Sequence, residues 1–241
     1  MGIQRIGPGD SGQTESARHV GVDGLEPVRT KGAKKMLLSD KRIMEEIEHG
    51  NIVIEPFEAR QLGTNSYDVR LGAYYYTPNH NMVTVNFTDQ EDANNFWLGP
   101  FYAEDGVIII RPGDTILAHT EEVVGGTNGF TTSMRARSSI GRSCLSVCKC
   151  AGVGDVGYIS RWTMEITNHS HAMATLPVGL RVAQILFYEV GETLRQYQGK
   201  YGSWRDWSPK DMVPKLYRDY DLTQVGEHRL PRRNGHETLV R

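Results

Sequence analysis

The sequence lacks an excess of either charge. Its 27 Lys and Arg stand against 29 Asp and Glu, a formal net charge of −2 over 241 residues. No global positive field is available to grip a phosphate backbone, so a nucleic-acid polymer is not the expected partner. Long apolar runs are also missing: the longest candidate, Val107 to Ile110, is strand-sized, whereas a membrane span needs roughly 18 residues. No membrane association is expected. Cysteine is scarce, with 3 residues (Cys144, Cys148 and Cys150) crowded into one segment, and an odd set cannot all pair internally. The first residues are polar and glycine-rich rather than the apolar core of a signal peptide. The expectation is a soluble protein of a reducing cytoplasm. No repeat of fixed period and no low-complexity tract stands out.

What is present is polar for a globular chain: 39% hydrophobic, 23% charged and a mean hydropathy of −0.45, which places part of the length outside a core. Residues 1–35 have no period of 2 or 3.6 and read as a disordered extension. Ser39 before Asp40, Ile43 with Ile47, and Gly50 at the end describe a short amphipathic helix from Asp40 to His49. Beyond it the period becomes that of strands: Ile52–Ile54, Tyr67–Leu71, Ala73–Thr77, Val83–Val85, Val107–Ile110, Thr115–His119, Gly129–Ala136, Ser143–Cys148, Trp162–Thr167, Ala172–Leu176 and Val182–Val190. Many short strands after one helix predict a mainly β barrel or jelly roll. From Gly191 the chain is expected to form a partly ordered arm that ends in a basic tail, Arg229 to Arg241. The division is residues 1–35 extension, 36–204 domain, 205–241 arm and tail.

One stretch has the composition of a nucleotide site. Arg137-Ser138-Ser139-Ile140-Gly141-Arg142 combines two guanidiniums, two hydroxyls and an open backbone, the equipment for a polyphosphate. The loop Ala151-Gly152-Val153-Gly154-Asp155-Val156-Gly157-Tyr158 would let backbone approach a flat ligand, with Asp155 accepting from a sugar hydroxyl or holding a cation. Each piece alone is equally a pair of β-turns with an exposed Asp. Alternation puts Trp162, Met164 and Ile166 on one face of a strand and Thr163, Glu165 and Thr167 on the other, where Glu165 either serves the site or points at solvent.

RSSIGR, AGVGDVGY and TMEITN in this order, with MLLSDKRIMEEIEHGNIVIEPF, SYDVRLG and PVGLRVAQILFYEV around them, resemble the dCTP deaminase branch of the trimeric dUTPase superfamily, over roughly Met36 to Trp204. The resemblance implies a dUTPase-like distorted jelly-roll β-barrel and hydrolytic deamination of dCTP to dUTP. The implied catalytic set is Glu165, Ser138 and Arg142. It implies nucleotide contacts from Arg137, Ser139, Ile140, Gly141, Ala151, Asp155, Tyr158, Thr163, Met164, Gln184, Tyr197 and Lys200. It also implies Mg²⁺ carried by the triphosphate with no protein metal site and no zinc, and a homotrimer with shared sites. Glu165 separates this branch from the dUTPases, which have an aliphatic residue there. The family's closing arm resembles Arg195 to Gly202, with Trp204 and Arg205 as candidate lid residues.

Three other readings stay beside this one: a bifunctional enzyme giving dUMP and pyrophosphate, toward which Gly152 leans; a dUTPase; and a nucleotide-binding regulator without turnover. Gly154, where relatives have a bulky aliphatic, is either a gap that admits a modified cytosine or neutral drift. A zinc deaminase would need H-x-E with P-C-x-x-C. His119-Thr120-Glu121 supplies the first, but the cysteines run C-x-x-x-C-x-C, with Cys148 and Cys150 expected on one face of a strand as small buried side chains. His169 and His171 read as surface loop residues.

Overall fold

In the computed structural model of the chain, which describes residues 37–201 and 205–219, Leu37 bridges to Tyr188 and the first helix is capped by Ser39. Its hydroxyl accepts from the Arg42 N–H at 3.4 Å and opens helix α1 (Asp40–Glu48), with Ile43 buried. The 1–35 extension, Trp204 and the 229–241 tail lie outside the described residues. The strands are β1 (Ile52–Glu55), β2 (Tyr67–Pro78), β3 (Trp97–Tyr102), β4 (Val107–Ile110), β5 (Thr115–Gly126), β6 (Phe130–Ala136), β7 (Leu145–Ser146), β8 (Val153–Gly154), β9 (Ile159–Asn168), β10 (Ala174–Pro177) and β11 (Arg181–Glu189). They pair antiparallel in one curled sheet of order β7-β9-β5-β2-β11-β6-β8, with β1 also on β5 and β3 also on β2, while β4 and β10 pair separately. This is the mainly β, jelly-roll-like architecture that the strand spacing predicts.

The inner face holds the core. Val69, Leu71, Ile116, Ala118, Met164, Ile166, Ile185 and Phe187 are almost fully buried, and each of these side chains larger than alanine stabilises the fold by about 1.5–3 kcal/mol relative to exposure. On β9 the alternation is as read: Trp162, Met164 and Ile166 point in, and Thr163 and Glu165 point out. Thr167 departs from it. It is buried, and its hydroxyl shares a hydrogen bond with that of Thr115 at 2.8 Å.

Three local expectations differ. Tyr67–Leu71 and Ala73–Thr77 are one strand, because Gly72 keeps β2 continuous where it crosses the His119 ring: a Cβ there would sit 2.0 Å from the imidazole. Val83–Val85 forms no strand. The chain instead turns into α2 (Gln90–Phe96), capped by the Asp89 carboxylate, which accepts from the N–H groups of Glu91 and Asp92 at 2.9 and 3.0 Å. Of Ser143–Cys148 only Leu145 and Ser146 are strand, since helix α3 (Ser138–Arg142) precedes them and Cys144, Cys148 and Lys149 take φ of 59°, 64° and 40°. Cys148 and Cys150 therefore do not share a strand face: Cys148 is buried, and Cys144 and Cys150 are exposed.

The outer face of the β2–β5 pair is covered as well. A strap of residues 205–219 returns across it, and Pro209–Met212 forms a 3-10 turn capped by Ser208 and Asp211. Met212 and Val213 are buried against Tyr76 and Leu117, flanked by Trp97 and Trp207. Among the described residues no helix is long and apolar enough to cross a membrane.

Candidate active site

The β5–β9 register sets Leu117 opposite Glu165 and His119 opposite Thr163, so these four side chains share the outer face. Glu165 is half-buried, and its Oε2 is enclosed without a hydrogen-bond partner among the described residues. Burial raises its pKa above the ordinary carboxylate value, while a hydrogen bond to its own backbone and the charge of Lys149 pull the other way. A carboxylate that is withdrawn from water, with its pKa raised and an acceptor still open, is suited to taking and returning a proton.

Helix α3 presents the other two catalytic candidates. Ser138, Ser139, Gly141 and Arg142 are exposed, and a Cβ on Gly141 would meet nothing within 4 Å. Ile140 is different: its side chain is in the core, so only its backbone faces outward, and the same holds for Met164. No hydrogen bond or ion pair among the described residues joins Ser138 or Arg142 to Glu165. Arg137, the N-cap of α3, is held by Asp68 (Nε to Oδ2, 3.0 Å) and donates to the Arg181 carbonyl at 3.2 Å, and Arg181 pairs with the same Asp68 oxygen at 3.2 Å. Gln184 stands between Asp68 of β2 and Arg135 of β6 in the sheet register.

Asp155 opens a separate cleft of about 600 Å³, whose wall includes Thr131, Arg195 and Tyr197. The arm is pinned there. The Tyr197 N–H donates to the Val156 carbonyl at 2.8 Å, and Gln196 bonds Thr127 and Asn128 at 3.1 and 3.2 Å. Tyr158 lies behind, edge-on to both Trp162 and Tyr197 with centroids at 5.2 and 5.4 Å, and burial pushes its phenol pKa up. Ala151 is exposed but its N–H is taken by the Cys148 carbonyl at 2.7 Å. Lys200 pairs with Asp219 and donates to the Lys215 carbonyl at 3.2 Å. Gly154 leaves no gap for a modified base: a Cβ there would be 2.4 Å from the Thr132 hydroxyl and 2.5 Å from the Trp162 ring, so neighbouring side chains already fill the space.

Sequence reasoning missed two clusters beside these residues. Glu122 is fully buried and accepts from the Arg70 N–H (2.8 Å), Arg70 Nε (2.6 Å) and Gln61 Nε2 (2.8 Å). His119, the first residue of the H-x-E triplet, is also buried. Its Nδ1 lies 2.8 Å from the Thr120 carbonyl and so must carry the proton, which leaves Nε2 to accept from the Tyr74 N–H at 3.2 Å. Both ring nitrogens are committed, and burial lowers the His119 pKa to about 4. Among the described residues no group of three or more His, Cys, Asp or Glu is placed to hold a metal ion. His169 is exposed, with Nε2 2.9 Å from the Ser146 hydroxyl, and His171 is exposed as well.

Comparison with known proteins places this geometry. A dCTP deaminase from Haloarcula marismortui is 30% identical over 179 residues, covering 69% of this chain and 92% of that protein. A dUMP-forming dCTP deaminase from Nocardioides sp. is 32% identical over 198 residues, covering 79% of this chain and all of its own length. The crystal structure of a 2′-deoxycytidine 5′-triphosphate deaminase from Agrobacterium tumefaciens superposes with a TM-score of 0.51 at 19% identity, over 65% of this chain and 49% of that one, a likeness of fold. The family model for dCTP deaminase-like domains matches residues 37–190, from the bridge before α1 to the end of β11, and the chain belongs to that family.

Proposed function

We propose that the protein deaminates dCTP hydrolytically to dUTP and ammonia, with Glu165 as the proton carrier. The observation that carries this reading is the open, buried Oε2 of Glu165 on a strand whose other face is locked in the core. Glu165 takes a proton from a water whose oxygen bonds to C4 as the C4–N3 double bond opens, and passes that proton to N3; it then moves the adduct's hydroxyl proton to N4, the C4–N4 bond breaks, ammonia leaves and C4 becomes the carbonyl. Ser138 and Arg142 position that water and hold the carboxylate ionised. Because they stand exposed on α3 and make no hydrogen bond or ion pair with Glu165 among the described residues, the reading assigns them to the site of another copy in a homotrimer. Asp155 receives the 3′-hydroxyl, with Tyr158 and Tyr197 behind it, while Arg137, Ser139, Gly141 and Lys200 serve the phosphates. Ile140, Ala151, Thr163, Met164 and Gln184 complete the nucleotide contacts, Ile140 and Met164 through their backbone.

Mg²⁺ bound through the triphosphate would supply charge neutralisation there. That role suits a chain whose described residues offer a single exposed Asp155 in the cleft rather than a cage. The committed nitrogens of His119 support a zinc-free route. A dUMP-forming outcome is the second reading, favoured by the match to a dUMP-forming relative over that relative's whole length. Incubation with dCTP and Mg²⁺, with and without a zinc chelator, followed by resolution of dCTP, dUTP, dUMP and pyrophosphate, tests all of this. Chelator-resistant ammonia release is expected. No conversion overturns the enzyme, and loss on chelation overturns the mechanism. A cytoplasmic setting, where nucleotide pools are made, accompanies the reading.

A further inference from the structure

The strap of residues 205–219 lies beyond the stretch matched by the family, yet it packs on the outer face of the β5–β9 pair, the face that carries Thr163 and Glu165. Trp207 fixes its place by two contacts. Its ring centroid is 4.8 Å from that of His119, and the Arg161 guanidinium stands over its face at 5.7 Å from the ring centroid. His119 is the cross-strand partner of Thr163. Arg161 precedes Thr163 on the same outward face of β9. The indole is thus bracketed on two sides of Thr163, and Glu165 is one further side-chain step along that face, roughly 7 Å.

Both supports are rigid. His119 is bonded through each ring nitrogen and wedged against Gly72, and Arg161 donates to the Glu121 carbonyl. The strap itself is anchored by the buried Met212 on Leu117, the cross-strand partner of Glu165, and by Lys215 paired with Asp211 at 2.8 Å. Trp207 remains only partly buried, which leaves part of its ring surface uncovered.

We propose that Trp207 is a specificity-determining residue of the Glu165 site, an aromatic wall against which the pyrimidine base packs. This rests on the deaminase reading for the identity of the base. An indole with the Arg161 guanidinium over one face and the tilted His119 ring beside it can offer its remaining flat apolar surface to a flat heterocycle. It does nothing for a phosphate. The wall therefore acts on the base end of the nucleotide and is separate from the Asp155 cleft, where the sugar and phosphates are placed.

The test is calorimetric binding of dCTP, and separately of inorganic tripolyphosphate, each with Mg²⁺, to the full chain and to its Trp207→Ala and Trp207→Phe variants. For Trp207→Ala the dCTP Kd is expected to rise about tenfold to a hundredfold while the tripolyphosphate Kd stays unchanged, and Trp207→Phe is expected to restore most of the dCTP affinity. A loss of affinity for both ligands would mean that the strap merely supports the fold, and overturns the proposal. An unchanged dCTP Kd in Trp207→Ala overturns it equally. If the unaltered chain binds dCTP without releasing ammonia, the deaminase reading fails and the wall is still judged by the Kd ratio. If it does not bind dCTP at all, both fall.

Discussion

Glu122 on β5 and Glu165 on β9 are carboxylates taken out of water within one sheet, and their surroundings are opposite. Glu122 has 0% exposure and three donors, two of them from Arg70. Glu165 is half-buried, with one oxygen that has no hydrogen-bond partner among the described residues. A buried charge with all its acceptor sites filled is a structural part, costly to disturb because its partner charge would be left behind. A buried charge with an open oxygen forgoes stabilisation in the free protein, and such unfilled acceptors are expected where a substrate or water completes the arrangement. Burial alone does not distinguish the two; the count of donors does.

The same Glu→Gln change at both positions makes the contrast measurable. At Glu165 it should reduce dCTP turnover by about 10³-fold or more while Tm holds or rises, because an unpaired acceptor is replaced by a neutral group. Substantial residual turnover would end the contrast. At Glu122 the amide takes away the buried one of Arg70's two carboxylate partners, leaving Glu58 at 2.8 Å, and chemical denaturation should show a loss of about 1–3 kcal/mol. An E122Q protein as stable as the parent would mean that the Arg70 cluster is surface decoration.

His119 supplies a third comparison, since it lies on the strap-covered side. Its folded pKa of about 4 lies below the unfolded value of 6.5, so the folded state keeps it neutral and the unfolded state binds the proton first. Stability is full above about 6.5 and declines as pH falls toward 4, by about 3 kcal/mol for this residue. Urea titrations at pH 7 and 5 should show the decline, and a His119→Gln variant should show less of it. The smallest effect is expected at Lys149. Replacing it with Met removes a charge that favours ionised Glu165, so the acid limb of the kcat profile should move to higher pH; movement to lower pH would show that Glu165 is not the titrating base.

Much of this was legible in the chain. The Ser39 cap, the β9 alternation up to Ile166 and the order of the RSSIGR, AGVGDVGY and TMEITN motifs are local or ordered patterns that are read directly from the chain. What escaped depends on partners distant in sequence. Val83-Thr84-Val85 alternates like a strand but finds no neighbour, and Glu122 looks like one acid among many until β2 brings Arg70 to it. The pairing of Lys200 with Asp219 likewise depends on the strap's return and is not written near Lys200 in the sequence. The strap itself had a written signal in Ser208-Pro209 with Asp211 after it, the pattern of a capped turn start, but its destination on Leu117 had none.

Gly72 and His119 interlock in one direction: a side chain gained at position 72 would meet the imidazole at 2.0 Å, so the ring must shift or be lost, and the seat of Trp207 changes with it. The two positions should therefore be inherited as a unit wherever a strap of this kind is found, and a descendant that loses the glycine should also be free to lose its C-terminal aromatic residue.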